Sequence, residues 1–497
     1  MPVAPAKRTT GSGRNRPPLA LQRIARCVVP MGLIAAVLLE PAQFVEAASE
    51  PSREDRPNVI VILTDDMGYA DLGATGSDQI LTPNIDRLMS DGVNFTNAYV
   101  TASVCCPSRA GLLTGRYQQR FGHEFNNFSI PAEGFTSDDM GLSVDERTIG
   151  NAFQDAGYTT MCVGKWHMGG GEKFDPSRRG FDEVFAIEAG HRSYWPYTGK
   201  AKRSNRIQIS ATEFLPEDRV TYLTDDLTNA AVDFIDRHRE DPFFMYLAYN
   251  APHGPMHGKE ADKEFYDSIT DPKRQTYAAM MKALDEGIGE VRRSLIDNKI
   301  DKRTLIIFTN DNGGATSNGS DNGPYRGMKG SKWEGGVRVP FSLTWPGRLP
   351  DGADYDSPVS TLDILPTSLA AAEISYRGLP LDGVNLLPYL ENGETGLPHD
   401  MLFWRRGVAA AVRAGQWKLI RVEGNPDLLF NLEADPSERS NVAPKHPEKV
   451  AMLKERLAQW ESELAPPKWT EGEKWSRNQV LKHQMRVQTR RQERQYP

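Results

Sequence analysis

The sequence predicts an α/β protein in which a large, mixed but mostly parallel sheet is covered by helices, with a smaller C-terminal subdomain of antiparallel strands and a helix. Three observations carry this reading. Short β-branched or aromatic runs alternate with helical patterns over roughly 300 residues, the pattern of βα units. Most of these runs end in a polar cluster, and open α/β sheets place their ligand crevice at the carboxyl ends of their strands. After about residue 380 the chain changes to closely spaced short strands divided by Gly and Asn-Pro turns.

Asn58 to Thr64 (NVIVILT) reads as a buried strand opening into Asp65-Asp66-Met67-Gly68. Leu81 to Ser90 reads as a helix started by Thr82-Pro83. A helix through Ile149 to Ala156 leads into a strand at Tyr158 to Val163. Pro242 to Tyr249 is a third buried strand and runs into Asn250-Ala251-Pro252-His253. Tyr277, Met281, Leu284, Ile288, Val291 and Leu295 form one stripe of an amphipathic helix. Leu305 to Thr309 is another buried strand, ending in Asn310-Asp311-Asn312-Gly313. These elements fall within a catalytic domain expected over 55–380. Strands at 401–404, 408–413, 417–421 and 427–432 form a meander within 381–472, with a helix through Val450, Leu453, Leu457 and Trp460 packed on it. The basic, Gln-rich tail at 473–497 has little to bury and is expected to be loosely ordered.

The first 47 residues have the layout of a secretory signal peptide. Six basic residues from Lys7 to Arg26 precede an apolar run from Cys27 to Leu39, and Val45-Glu46-Ala47 offers a cleavage site. That run is short for a membrane span of ~20 residues, so an exported, periplasmic or extracellular protein without a stable membrane anchor is expected. Removing six basic and two acidic groups takes the net charge from −7 to −11, which disfavours nucleic acid as a partner. Of four Cys, Cys27 leaves with the leader. Three remaining thiols are no disulfide scaffold.

Cys105-Cys106-Pro107-Ser108-Arg109, closing on Leu113-Thr114-Gly115-Arg116, resembles the signature of the formylglycine-dependent sulfatases. Alone, the two thiols would read as a buried pair or a strained vicinal disulfide. The resemblance implies that Cys105 is oxidised to formylglycine by a formylglycine-generating or anaerobic sulfatase-maturating enzyme. The chemistry explains why an aldehyde is needed. One hydroxyl of its hydrate attacks sulfur, and deprotonating the second regenerates the aldehyde and expels sulfate. A serine would lack that exit.

Asp65, Asp66, Asp311 and Asn312 offer oxygen ligands only, which select Ca2+ or Mg2+ over zinc or copper. By itself an Asp-Asp pair before Gly is usually a turn or helix cap. The resemblance implies one Ca2+ per chain, held by these four residues and by the modified Cys105. Gly164-Lys165-Trp166-His167 matches a further family element, making Lys165 a sulfate or leaving-group contact and His167 the base that releases product. Ala251-Pro252-His253 resembles another, with His253 as general acid. Tyr325 to Gly330 and Trp333 to Pro340 resemble the family's lysine loop and the segment after it, making Lys329 a sulfate contact. Arg109 is expected to bond the hydrate and offset the carboxylates, while Trp333 and Arg338 read as structural. The matches run from Asn58 to Pro340, with Leu429 to Pro436 resembling the family's C-terminal segment. An alkaline-phosphatase-like fold is therefore implied.

Two other functions stay open from sequence: a phosphodiester or phosphonate hydrolase of the same superfamily, and a non-catalytic binder of sulfated glycan. For the substrate, a loop holding His191, Arg192 and Tyr194 combines cations with aromatics, and His123 in Arg120 to Glu124 is expected at the same mouth. These residues read equally well as ordinary loop aromatics. Tyr117 to Gly122 and Arg179 to Asp182 resemble N-acetylgalactosamine-6-sulfatase-like and carrageenan-sulfatase-like members, which implies a sulfated polysaccharide or its oligosaccharides, with aryl sulfates as surrogates.

Overall fold

The apolar runs pair into one nine-stranded sheet. In chain order its strands are β1 (Asn58–Thr64), β2 (Val93–Phe95), β3 (Thr159–Lys165), β4 (Glu183–Ile187) and β5 (Ile207–Gln208), followed by β6 (Phe243–Ala248), β7 (Thr304–Asn310), β8 (Phe341–Thr344) and β9 (Ala353–Tyr355). Across the sheet the order is β9-β2-β8-β7-β1-β6-β3-β4-β5. The central run from β7 to β4 is parallel throughout. Antiparallel pairs appear only where β8 meets β7 and β2 and where β5 meets β4. This computed structural model describes residues 56–484 except 128, 129, 392 and 394. The leader expected at 1–47 lies outside the described residues.

The strands are buried on both faces because helices cover both. Val59, Val61 and Leu63 of β1 join one apolar cluster with Cys106 and Ala110 of helix α2 (Cys105–Thr114). Ile60 and Ile62 point the opposite way, toward Leu227 and Phe234 of α3 (Leu223–Arg237) and Tyr277, Leu284 and Ile288 of α4 (Pro272–Asp297). Alternation along a strand thus feeds two cores. Fully burying each such aliphatic side chain is worth roughly 1.5–3 kcal/mol, so the centre of the sheet carries much of the apolar stabilisation.

Helix α2 was not among the expected elements. Val104 enters it in extended conformation, Pro107 is tolerated in the first turn, and Gly115 ends it at φ 63°, with its N–H bonded to the Gly111 carbonyl. Every residue from Cys105 to Thr114 is buried. Without a solvent face it has no amphipathic period to read.

The C-terminal strands form the expected meander of four antiparallel strands: β10 (Met401–Arg406), β11 (Ala409–Ala414), β12 (Trp417–Val422) and β13 (Leu428–Asn431). Leu453, Leu457 and Trp460 of α5 (Pro447–Ser462) pack on it. This sheet is not a detached body, since the described residues all fall in one compact unit. One tie is a buried ion cluster. Lys418 Nζ lies 2.7 Å from Glu334 and 3.0 Å from Glu438, all without side-chain exposure. Burial raises Glu438 to about 7 despite that lysine. The tail departs from expectation, because Gly472–Gln484 is a helix, α6, with Gln479 and His483 buried. Positions 485–497 lie outside the described residues. No described helix is long and apolar enough to cross a membrane.

Removing the cation from the C-terminal tie strands two carboxylates in the core. Lys418→Met is expected to destabilise the fold by about 3–5 kcal/mol, read as a lower midpoint in denaturant unfolding. An unchanged midpoint would mean the cluster carries no net stability.

Candidate active site

Four neighbouring parallel strands bring the chemistry together. β7, β1, β6 and β3 end on the same edge and are followed by Asp311-Asn312, Asp65-Asp66, Asn250 to His253, and Trp166-His167 respectively. Their exits are stitched by backbone bonds. Asp311 N donates to the Thr64 carbonyl at 3.1 Å, and Asp65 N donates to the Ala251 carbonyl at 3.1 Å. Asn310 holds the turn after β1: its Nδ2 donates to the Met67 carbonyl at 2.8 Å, and its Oδ1 accepts from Thr64 Oγ1 at 2.8 Å. Sequence reasoning missed this positioning role. The available signal was an amide side chain closing an apolar strand, a place where only a fully bonded polar group survives burial. Asp66 and His167 both sit at positive φ, 63° and 57°. Such strain in side chains other than glycine is characteristic of functional sites.

Cys105 opens α2 and faces this edge. Lys329 Nζ donates to its Sγ at 3.0 Å and to Asp66 Oδ1 at 2.6 Å. The Lys329 loop is pinned by its own N–H to the Gly314 carbonyl and by Gly330 N to the Ser103 carbonyl. Lys165 Nζ lies 2.6 Å from Asp65 Oδ2. Arg109, one helical turn from Cys105, donates through Nε to Asp311 Oδ2 at 2.9 Å and through Nη1 to the Lys165 carbonyl at 2.9 Å. It is thus a strut between the β7 and β3 ends as well as a counter-charge. His253 Nδ1 donates to the Gly254 carbonyl at 2.6 Å, which leaves Nε2 facing Asp66 Oδ2 at 3.5 Å. His167 packs directly on Gly190, where a Cβ would come within 2.6 Å of its ring.

Burial would raise Asp66, but the neighbouring lysines, Lys329 foremost and then Lys165, outweigh it and hold the carboxyl well below its usual range. Asp311 goes the other way, up to about 6, through burial and the neighbouring Asp65. Burial, with Asp311 and Asp65 opposing the two lysines, pushes the Cys105 thiol up to about 11. Burial takes His253 down to about 3 despite the neighbouring Asp66, with Lys329 and Lys165 adding to the drop, so the 3.5 Å contact with Asp66 is not an ion pair. His167 is held well below the imidazole range by burial and then Lys165 and Arg109.

The oxygen set fits a hard divalent cation. Asp65 Oδ1 and Asn312 Oδ1 are buried without a hydrogen-bond partner among the described residues, and burying such acceptors is costly unless an ion or donor meets them. Asn312 Nδ2 donates to Asp66 Oδ1 at 2.7 Å, orienting the amide. Ligand atoms of Asp65, Asp66, Cys105 and His253 lie within 4.8 Å of one another. The raised Asp311 likewise marks a carboxylate cluster short of positive charge.

The expected substrate loop is corrected in part. His123 is fully buried beneath the site, its Nε2 2.9 Å from Cys106 Sγ, so it cannot stand at the mouth. Arg192 is buried on Glu217 at 3.0 Å. Tyr194 is buried too, its hydroxyl donating to the carbonyls of Asn250 and His253 at 2.8 Å. It positions the His253 turn. Of the four, only His191 is exposed, its ring stacked against His253 at 6.1 Å.

A buried cluster of three cations, three carboxylates and one helix-borne thiol at parallel strand ends suits a hydrolase of anionic esters. The family model described as Sulfatase matches residues 57–374, and the chain belongs to the sulfatase family. It is 32% identical over 417 residues to N-acetylgalactosamine-6-sulfatase of Mus musculus, covering 80% of this chain and 75% of that protein. The Homo sapiens protein of that name is 34% identical over 379 residues, covering 73% and 71%. Among solved structures, that of Ps i-CgsB superposes with a TM-score of 0.78 at 35% identity, covering 87% of this chain and 98% of that one. A second structure of Ps i-CgsB is a complex with k-i-k-neocarrahexaose. The protein is a sulfatase with an alkaline-phosphatase-like fold, and it hydrolyses sulfate esters.

His253 is expected to stay neutral in metal-free, substrate-free protein throughout pH 5–8. Imidazole 15N shifts followed by NMR should show no titration in that window, and a midpoint near 6.5 would contradict the burial argument.

Proposed function

We propose that the chain hydrolyses sulfate esters of carbohydrate, a polysaccharide or its oligosaccharides, through Cys105 oxidised to formylglycine and with one Ca2+ in the carboxylate cluster; aryl sulfates serve as surrogate substrates. The observation that carries this reading is the setting of Cys105. A thiolate nucleophile needs its pKa lowered, yet burial and two carboxylates push this thiol up to about 11. As a thiol it is a poor nucleophile held 3.0 Å from a lysine meant for an anion. As a hydrated aldehyde it needs no thiolate, and its hydroxyls meet the same lysine and carboxylates.

When bound by Asp65, Asp66, Asp311 and Asn312, Ca2+ supplies a Lewis acid that lowers the pKa of a bound hydroxyl and offsets sulfate charge. Lys329 and Lys165 accept the remaining charge of the sulfate, and Arg109 fixes the frame between them. His253 donates a proton to the leaving oxygen. Because its Nε2 is unprotonated in the resting site, that proton is acquired as the anionic ester approaches and raises the imidazole pKa. His167 takes the proton from the second hydroxyl of the hydrate, which reforms the aldehyde and frees sulfate.

The carbohydrate assignment rests on the relatives, whose names specify N-acetylgalactosamine-6-sulfate chemistry in one case and a bound neocarrahexaose in another. A maturating enzyme is a required partner of this reading, and the leader layout at 1–47 supports an exported protein.

Protein from a host with sulfatase-maturing activity is expected to carry the aldehyde at position 105 by peptide mass spectrometry. Cys105→Ala should fold with an unchanged melting temperature and lose at least about 10³-fold in kcat/KM on 4-methylumbelliferyl sulfate. Ordinary turnover by that variant would sink the assignment. Chelation is expected to lower the melting temperature of wild-type protein, with Ca2+ restoring it. In Asp65→Ala neither addition should move it.

A further inference from the structure

The helix formed by residues 472–484 is unused by the chemistry described so far, yet one of its faces walls a cleft that reaches Lys329 of the active site. This cleft, about 460 Å³ in volume, is lined among others by Val104, the residue before Cys105, and by Lys329. Its size falls within the roughly 300–1,000 Å³ of small-ligand pockets. Gln479 and His483, one turn apart, pack α6 onto the protein, with His483 Nε2 accepting from Lys332 N at 2.9 Å. That anchoring turns Trp475, Asn478 and Lys482, at i, i+3 and i+7, toward the cleft. Trp475 is 52% exposed.

Two cations meet beside the catalytic lysine. Lys482 Nζ donates to the Lys329 carbonyl at 2.7 Å. A Cβ on Gly330 would lie 2.7 Å from Lys482 Nζ and 3.2 Å from Arg406 Nη1, so both converge on that glycine. Arg406 is fixed by Glu471, while its buried Nε has no hydrogen-bond partner among the described residues. Burial, then Arg406 and Lys329, takes Lys482 down to about 8. Three cations, Lys329, Arg406 and Lys482, line the cleft against one carboxylate, Glu471.

From this juxtaposition we infer that α6 completes a second sugar subsite, in which Trp475 stacks on the pyranose next to the sulfated residue and Lys482 with Arg406 holds an anionic substituent on it. The aromatic face suits the C–H face of a sugar, and the clustered cations suit a sulfate ester or a uronate carboxylate. The subsite rests on the carbohydrate reading above and extends it. The substrate is then an oligosaccharide charged on adjacent residues, not an isolated sulfated monosaccharide.

Calorimetric titration of full-chain Cys105→Ala protein tests it without turnover. The probes are a carrageenan hexasaccharide with sulfates on adjacent sugars, a chondroitin-6-sulfate hexasaccharide with neighbouring carboxylates, and galactose 6-sulfate as the single-residue reference. At least one hexasaccharide is expected to bind tenfold or more tighter than the reference, and which one does so distinguishes sulfate from carboxylate. Trp475→Ala and Lys482→Met should each reduce that preference at least fivefold, and Trp475→Phe should retain it. Hexasaccharides that bind no tighter than the reference, or a preference indifferent to both variants, would overturn the subsite. Sulfate release from 4-methylumbelliferyl sulfate by the matured wild type is scored separately. An inert wild type with a normal titration would refute the sulfatase chemistry and leave the subsite standing.

Discussion

Everything at the active edge depends on burying like charges beside one another. Asp65, Asp66 and Asp311 sit at the ends of two hydrogen-bonded parallel strands with almost no exposure. Isolated carboxylates could not remain ionised there. They persist because Lys165, Lys329 and Arg109 lie within 2.6–2.9 Å of them. Even so the compensation is incomplete, as the raised Asp311 and the unpartnered oxygens of Asp65 and Asn312 attest. A site tuned in this way is prepared for one more cation and for an anionic substrate, and its thiol is poor as a thiol.

The rest of the molecule keeps that balance in place. Alternate residues of β1 feed two separate apolar layers, and a one-residue slip would swap the two sets and move Asp65 and Asp66 out of register with Asp311. Helix α2 carries both Cys105 and Arg109, fixing the spacing between the reactive atom and its strut. The C-terminal sheet adds its own buried charge cluster at Glu334, close in sequence to Lys329. Tyr194 holds the turn that bears His253, which turns a residue expected to touch substrate into one that shapes the pocket edge.

Legibility in the sequence followed the physics of each element. The central strands were readable because double-sided burial leaves a continuous apolar run, and α4 because its stripe repeats at helical spacing. Helix α2 was invisible to periodicity since it is buried all round, although its residues were the most informative chemically. The tail misled for a different reason. Its composition is basic and polar, but Gln479 and His483 are buried, and His483 and Lys482 seat α6 against Lys332 and Lys329, far away in sequence.

By itself the sequence determined the fold class, the family and the strand ends whose polar residues meet at one edge, because hydrophobic patterning and short motifs are local properties. Only the tertiary structure decided which polar residues face the pocket. His123 and Arg192 look like surface residues in a polar, aromatic stretch, yet the fold buries them against Cys106 and Glu217. Lys482 looks like part of a solvated tail, yet it reaches the carbonyl of Lys329 across 153 positions. Whether a charged side chain meets solvent, a counter-ion or a substrate depends on what distant segments place beside it, and that information is not local to any stretch of the chain.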